Sequence, residues 1–230
     1  MRSEKIAALV PMRHHSQRVP GKNFRMIAGK PLYAHIIETL LLVPELSAVV
    51  VDTDSNEILE GLAKNYPTVT RLVRPDHLRA DDIPMNEILI HDTGEIQMDF
   101  YLQTHSTNPL LKADTISRGI NGLLDHYPTY DSMFGVTRRQ VRLWDQLGRP
   151  INHNPAVLLQ TQDLPPFFEE NSCMYIFTRS HLTARRNRLG ERPMMFEIDP
   201  LEAWDVDNEV DFSIAEMMLN IQQKGIAKSI

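Results

Sequence analysis

The feature that most limits what this chain can become is its opening order of segments. Ile6-Ala7-Ala8-Leu9-Val10 is a continuous apolar run stopped by Pro11. Pro31 then heads a stretch with Leu32, Ile36, Ile37, Leu40 and Leu41 at helical spacing, and Ser47 to Asp52 is a second apolar run. Short strands without polar alternation are buried on both faces, and a helix between two of them makes the strands parallel. The pattern continues. Asp54 or Ser55 can cap the next helix, Arg71 to Val73 and Asp99 to Gln103 read as strands, and Ile116, Ile120, Leu123 and Leu124 mark a helix face. Ser132 to Thr137 and Cys173 to Thr178 read as strands, and Glu209 to Gln222 as a closing helix. The expected fold is α/β: three layers, with a mostly parallel mixed sheet covered by helices on both faces. One domain over residues 1–230 is expected. The proline-rich stretch 138–168 interrupts the alternation and predicts a lid or an oligomer contact.

Composition narrows the function. Asp plus Glu number 30 against 24 for Lys plus Arg, a net charge of -6, which argues against nucleic acid as the partner. The single cysteine, Cys173, excludes a disulfide framework and a multi-cysteine zinc site; within a buried strand it reads as inert filler. No apolar run approaches the ~20 residues of a membrane span. The first apolar run is also too short for a signal-peptide core, so a cytoplasmic location is expected.

Ligands of such sheets sit beyond the carboxyl ends of the strands. The loop after the first strand carries Arg13, Arg18 and Lys22 within ten residues, with His14 and His15 among them and Pro20-Gly21 as a turn. Guanidinium and ammonium groups there suit a polyphosphate, although a solvated basic loop would look the same. Near the end, Asp205 and Asp207 stand two apart, so an extended backbone points both to one side. Such a pair suits Mg²⁺, and helix capping is the alternative use. Arg185-Arg186-Asn187-Arg188 reads as a solvated helix face or end, Met217-Met218 as core packing, and Trp144 as an anchor for a partner chain.

Arg13-x-x-Ser16-x-x-x-Pro20-Gly21-Lys22-Asn23, followed by Gly29-Lys30-Pro31-Leu32, resembles the N-terminal signature of the cytidylyltransferases that activate 2-keto-3-deoxy sugar acids. The acylneuraminate type is the nearest group, and Arg18 also satisfies the Kdo-enzyme version of the loop. The likeness continues in order through Val51 to Ser55, Arg74-Pro75 with Leu78 and Asp81, Gln103 to Leu110, Gln162 to Pro166, Asn171 to Ile176 and Trp204 to Asp207. It implies a nucleotide-diphospho-sugar transferase-like fold, CTP and a sugar acid as substrates, Mg²⁺ as cofactor and a homodimer joined through the irregular arm. It also implies that Arg13, Ser16, Arg18, Lys22, Asn23 and Arg74 hold the nucleotide, and that Gln103 and Gln162 hold the sugar acid. Asp205 and Asp207 would hold the metal, and Arg13, Ser16, Lys22 and Asp207 would carry the chemistry. The expected reaction is transfer of CMP to a sialic-acid-like or Kdo-like acid with release of pyrophosphate. The sequence departs from the family at His14-His15 (usually Gly-Gly), Gln17, Leu111 and Thr161 (cations in many members) and Met85 (a serine). These losses motivate a second reading, a binding homologue with impaired chemistry. A third is an Asp-x-Asp glycosyltransferase.

Overall fold

The computed structural model describes residues 3–15 and 19–224. The first strand, β1 (Ile6–Met12), is buried along its whole length. Ala8 and Val10 face one apolar cluster, and Ala7 and Leu9 face the other. This is the two-sided burial that its unbroken apolar run requires. A short hairpin of β2 (Met26–Ile27) and β3 (Lys30–Pro31) leads into α1 (Leu32–Leu41), then β4 (Ala48–Thr53), α2 (Asn56–Asn65) and β5 (Thr70–Val73). The Ser55 side chain caps α2 by accepting from the Ile58 amide. After α3 (Met85–Glu95), the chain returns as β6 (Phe100–Thr104) on the other side of β1. Then come α4 (Ala113–His126), β7 (Ser132–Arg139), β8 (Phe167–Phe177), α5 (Arg179–Arg185), β9 (Pro193–Glu197) and α6 (Glu209–Gln223).

The main sheet has seven strands in the order β5-β4-β1-β6-β8-β7-β9. β8 pairs antiparallel with both neighbours, and the other pairs run parallel. Helices α1, α2 and α4 pack on one face, while α3 and α5 supply Leu89 and Leu182 to the other. A third cluster seats α6, through Phe212, Ala215 and Leu219, on Ile27, Leu32 and Val206. The three-layer, mostly parallel mixed sheet is the expected one. No helix among the described residues is long and apolar enough to cross a membrane.

Three elements add to the sequence reading. The buried face of α3 includes Asp92 and Thr93, which break its apolar period. Strand β9 starts at Pro193 on a sheet edge, where a missing N–H is tolerated. Strand β8 begins six residues earlier than Cys173, because Phe167 and Phe168 still pair with Arg139 and Arg138. The excursion from the sheet is therefore confined to residues 140–166. Met218 packs under α6, but Met217 is exposed, which corrects the reading of that pair as core.

Candidate active site

The carboxyl ends of β1 and β6 lie side by side, at the point where the chain reverses its direction of travel across the sheet. A cavity of about 620 Å³ opens there. Its wall includes Arg13, Lys22, Asn23, Met85, His105, Ser172, Asp205 and Asp207. Of the sequence-predicted residues, the structure brings together Arg13, Lys22, Asn23, Asp205 and Asp207. Ser16 and Arg18 lie outside the described residues, as does Gln17.

The loop after β1 is built around one turn. Gly21 has φ +64, and a side chain there would meet the Phe24 ring at 2.7 Å, so glycine answers to both backbone and space. Residues Lys22–Phe24 form a 3-10 turn that directs Lys22 inward. Its Nζ donates to the Val206 carbonyl at 2.6 Å and lies 3.9 Å from Asp207 Oδ1. Arg13 donates to Asp81 Oδ1 at 2.9 Å and to the Ile83 carbonyl at 3.4 Å. Asn23 is a buried brace: its Nδ2 donates to the Arg13 carbonyl at 2.8 Å, and its Oδ1 accepts from Ser106 Oγ at 2.7 Å. It ties the loop after β1 to the loop after β6. His14 and His15 need no glycine-like backbone, since neither has positive φ. The His14 amide donates to Asp54 Oδ1 at 2.7 Å, and its ring meets Ser55 Oγ at 2.8 Å.

The acidic pair faces this loop. Val206, between Asp205 and Asp207, is buried, and its amide donates to the Thr107 carbonyl at 2.9 Å. This anchors an extended segment whose flanking carboxylates reach the cavity. Capping does not use them: Asn208 caps α6 and Asp211 closes the capping box. Two carboxylates beside a water-accessible cavity are the donor set that Mg²⁺ accepts, with waters and phosphate oxygens completing its shell.

Three expected ligands stand elsewhere. Arg74 is 1% exposed behind the cleft. Its Nε donates to Asp52 Oδ1 at 2.5 Å, so the guanidinium neutralises a buried carboxylate and does not reach the cavity wall. Next to it, Asp92 and His91 of α3 approach Asp52 to within 4.8 Å. Asp52 Oδ2, Asp92 Oδ2 and Arg74 Nη1 are buried with no hydrogen-bond partner. Burial, reinforced by the Asp52 charge, pushes the Asp92 carboxyl up to about 8, and burial also raises Asp52 in spite of Arg74. Gln103 is wholly buried behind His105, and its amide is committed to protein partners. Gln162 lies exposed on the 140–166 excursion, within the 3-10 turn Thr161–Asp163, and donates to Gln160 Oε1 at 2.7 Å.

Other departures have plain structural correlates. Leu111 is 2% exposed in the main apolar cluster, a place that would strand a cation. Met85 opens α3 on the cavity wall. Cys173 is buried, and burial raises its thiol pKa, as expected of an inert residue. Arg188 corrects an expectation. Arg185, Arg186 and Asn187 face solvent, where the two arginines meet Glu191 and Glu87. Arg188 turns inward, with its guanidinium 3.4 Å from the centre of the Tyr175 ring. It stands behind the cavity wall and reaches it through Gln103 and His105. Ser172 is a wall residue to which the sequence reading gives no role, and His105, which the sequence suggests only as a substitute for the lost cations, also lines the wall. Arg186, in the left-handed conformation (φ +51), ends α5 and redirects the chain, which no periodicity foretells. Ser172 also has positive φ, at +57, beside the register shift between Phe134 and Val136 that aims it into the cleft.

The chain is 26% identical over 236 residues to the CMP-N,N'-diacetyllegionaminic acid synthase of Legionella pneumophila, with 96% of this chain and 99% of that protein aligned. It is 25% identical over 229 residues to the N-acylneuraminate cytidylyltransferase of Escherichia coli, of which it spans 52%. The solved structure of a CMP:2-keto-3-deoxy-manno-octonic acid synthetase complexed with CTP superposes with a TM-score of 0.72 at 17% identity, over 96% of this chain and 99% of that one. The cytidylyltransferase family model matches residues 7–227, nearly the whole chain, with the cavity at the ends of β1 and β6 inside the match, and the chain belongs to that family.

Proposed function

We propose that this protein transfers CMP from CTP to the anomeric hydroxyl of a 2-keto-3-deoxy sugar acid of the nonulosonic type, releasing pyrophosphate. The observation that carries this reading is one cavity whose wall holds both the cations Arg13 and Lys22 and the carboxylates Asp205 and Asp207. A triphosphate needs both the cations and a place for its counterion. The relatives named for legionaminic and acylneuraminic acids support the nine-carbon class of acceptor.

In the reaction, the anomeric hydroxyl gives up its proton to solvent and its oxygen bonds to the α-phosphorus, as the bond to the bridging oxygen of pyrophosphate breaks. Arg13 and Lys22 bind phosphate oxygens through charge-assisted hydrogen bonds, a role that the family resemblance also gives to Ser16 and Arg18. Asn23 keeps the loop in register with the Ser106 loop. Pro11, Met12, Ile83 and Met85 offer the apolar part of the wall to the base. Asp205 and Asp207 would hold Mg²⁺, which when bound screens the triphosphate and stabilises charge developing on its oxygens. The role of Arg74 is to neutralise Asp52, away from the nucleotide.

We also infer a homodimer joined through residues 140–166. Trp144, Leu147, Ile151 and Leu158 of that segment expose 51, 69, 55 and 91% of their surface, more than a solitary chain normally leaves to water. Gln162, on the same segment, would then serve the partner's cavity.

A matrix of CTP, UTP and GTP against keto-deoxy sugar acids with Mg²⁺, read by mass spectrometry, tests the function. Pyrophosphate and a CMP-sugar from CTP are expected. Nucleotide binding without product in any pairing would establish the impaired homologue instead, and transfer from a nucleotide sugar would establish a glycosyltransferase.

A further inference from the structure

Gln103, at the end of β6, is packed between three partners. Arg188 Nη1 donates to its Oε1 at 2.6 Å. A guanidinium has no acceptor, so the amide oxygen must face it. The amide nitrogen then faces the Thr104 carbonyl at 3.2 Å and His105 Nε2 at 3.1 Å. The orientation is set twice, by a pure donor on one side and a pure acceptor on the other, and both amide hydrogens are spent. His105 Nε2 can meet an N–H only with a lone pair. An imidazole accepting at Nε2 carries its hydrogen on Nδ1 and is neutral.

Arg188 is itself held in place. It stacks on Tyr175, whose hydroxyl donates to the Glu170 carboxylate and lies 3.2 Å from Ser172 Oγ, which can donate to it. The series Arg188, Gln103, His105 therefore runs from a clamped cation to the cavity wall. His105 Nδ1 meets no protein acceptor among the described residues. The cavity wall also offers neutral groups, His105, Thr107 and Ser172, which suit a hydroxyl-rich acceptor. Burial, with the charges of Arg188 and Lys22 adding to it, pushes the imidazole down to about 4, in keeping with a neutral ring at physiological pH.

We propose that Arg188 and Gln103 lock His105 as the neutral Nδ1–H tautomer, so that it donates an uncharged hydrogen bond to an oxygen of the sugar acid. His105 is then a specificity-determining residue and Arg188 a positioning residue. The identity of the ligand rests on the transferase reading above; the lock does not.

Long-range ¹⁵N–¹H spectra of the full chain labelled in its histidine rings, without ligand, test the lock directly. The His105 signals are those lost in His105→Asn. The Nδ1–H form is expected from pH 5.5 to 8, with a shift to mixed tautomers in Arg188→Met and Gln103→Leu, both checked for native backbone spectra. An Nε2–H form, an imidazolium at pH 7, or an unchanged tautomer in both variants overturns it. His105→Ala is expected to weaken sugar-acid binding about tenfold, the worth of one hydrogen bond, in KM or in calorimetric affinity. The KM for CTP should stay within twofold, and a change confined to CTP overturns the assignment to the sugar acid. Lack of turnover by the unsubstituted chain on every acid would sink the transferase reading, while the spectra and calorimetry would still decide this one.

Discussion

Two carboxylate pairs in this protein have opposite surroundings. Asp205 and Asp207 sit on the wall of an open cavity near Lys22, joined by a buried Val206. Asp52 and Asp92 are each 1% exposed beneath α3, against the Arg74 guanidinium. The first pair is open to solvent and has an ammonium nearby. In the second, two ionised carboxylates and one guanidinium would leave a net charge in a dry place. Adding a dication would leave a net charge of the other sign, whereas one proton between the carboxyls makes the cluster neutral and gives the orphaned oxygens a donor. Burial decides whether a pair of aspartates suits a metal or a proton.

The largest expected effect belongs to the wet pair. Asp207→Ala should lower turnover about a thousandfold or more, equal to about 4 kcal/mol of barrier, with the unfolding midpoint hardly moved. Unchanged turnover would remove the metal role and with it the contrast. The dry pair should respond the other way. Asp52→Ala leaves Arg74 buried without its partner and should cost about 3–4 kcal/mol of stability, read by denaturant unfolding. A loss under about 1 kcal/mol would mean that Arg74 finds water.

A more diagnostic effect follows from Asp92. Its folded pKa is raised, so between the ordinary carboxylate range and about pH 8 the folded state binds more protons than the unfolded chain. The contribution of this group to stability is therefore fullest below that window and is lost as pH rises through it. Asp92→Asn replaces the titrating proton with a permanent donor. It should match the parent near pH 4 and exceed it by several kcal/mol at pH 8 to 9. A parent whose stability rises with pH across this window, with Asn making no difference, would contradict a shared proton.

Both pairs are visible as letters in the sequence, but only one could be interpreted there. Asp205-x-Asp207 has a spacing that an extended segment converts directly into geometry. Asp52 and Asp92 are 40 residues apart, and nothing local announces that β4 and α3 bring them together. Arg74 shows the same limit from the other side. The Arg-Pro motif was readable and suggested a nucleotide ligand, yet an aspartate on the neighbouring strand claims the guanidinium. Helix α3 escaped notice for a related reason, since its buried polar residues interrupt the period that marks a helix.

What the sequence determined alone was the alternation of buried strands and amphipathic helices, and with it the layered sheet, the basic loop after β1 and the family. These are encoded in neighbouring residues, through side-chain period, turn chemistry and contiguous motifs. What only the tertiary structure decided was which polar groups meet: Lys22 with Val206 and Asp207, Arg74 with Asp52, and Arg188 with Gln103 and His105. Those partnerships join segments far apart in the chain. A short-range, directional hydrogen bond exists only once packing has fixed both ends within about 3 Å of each other.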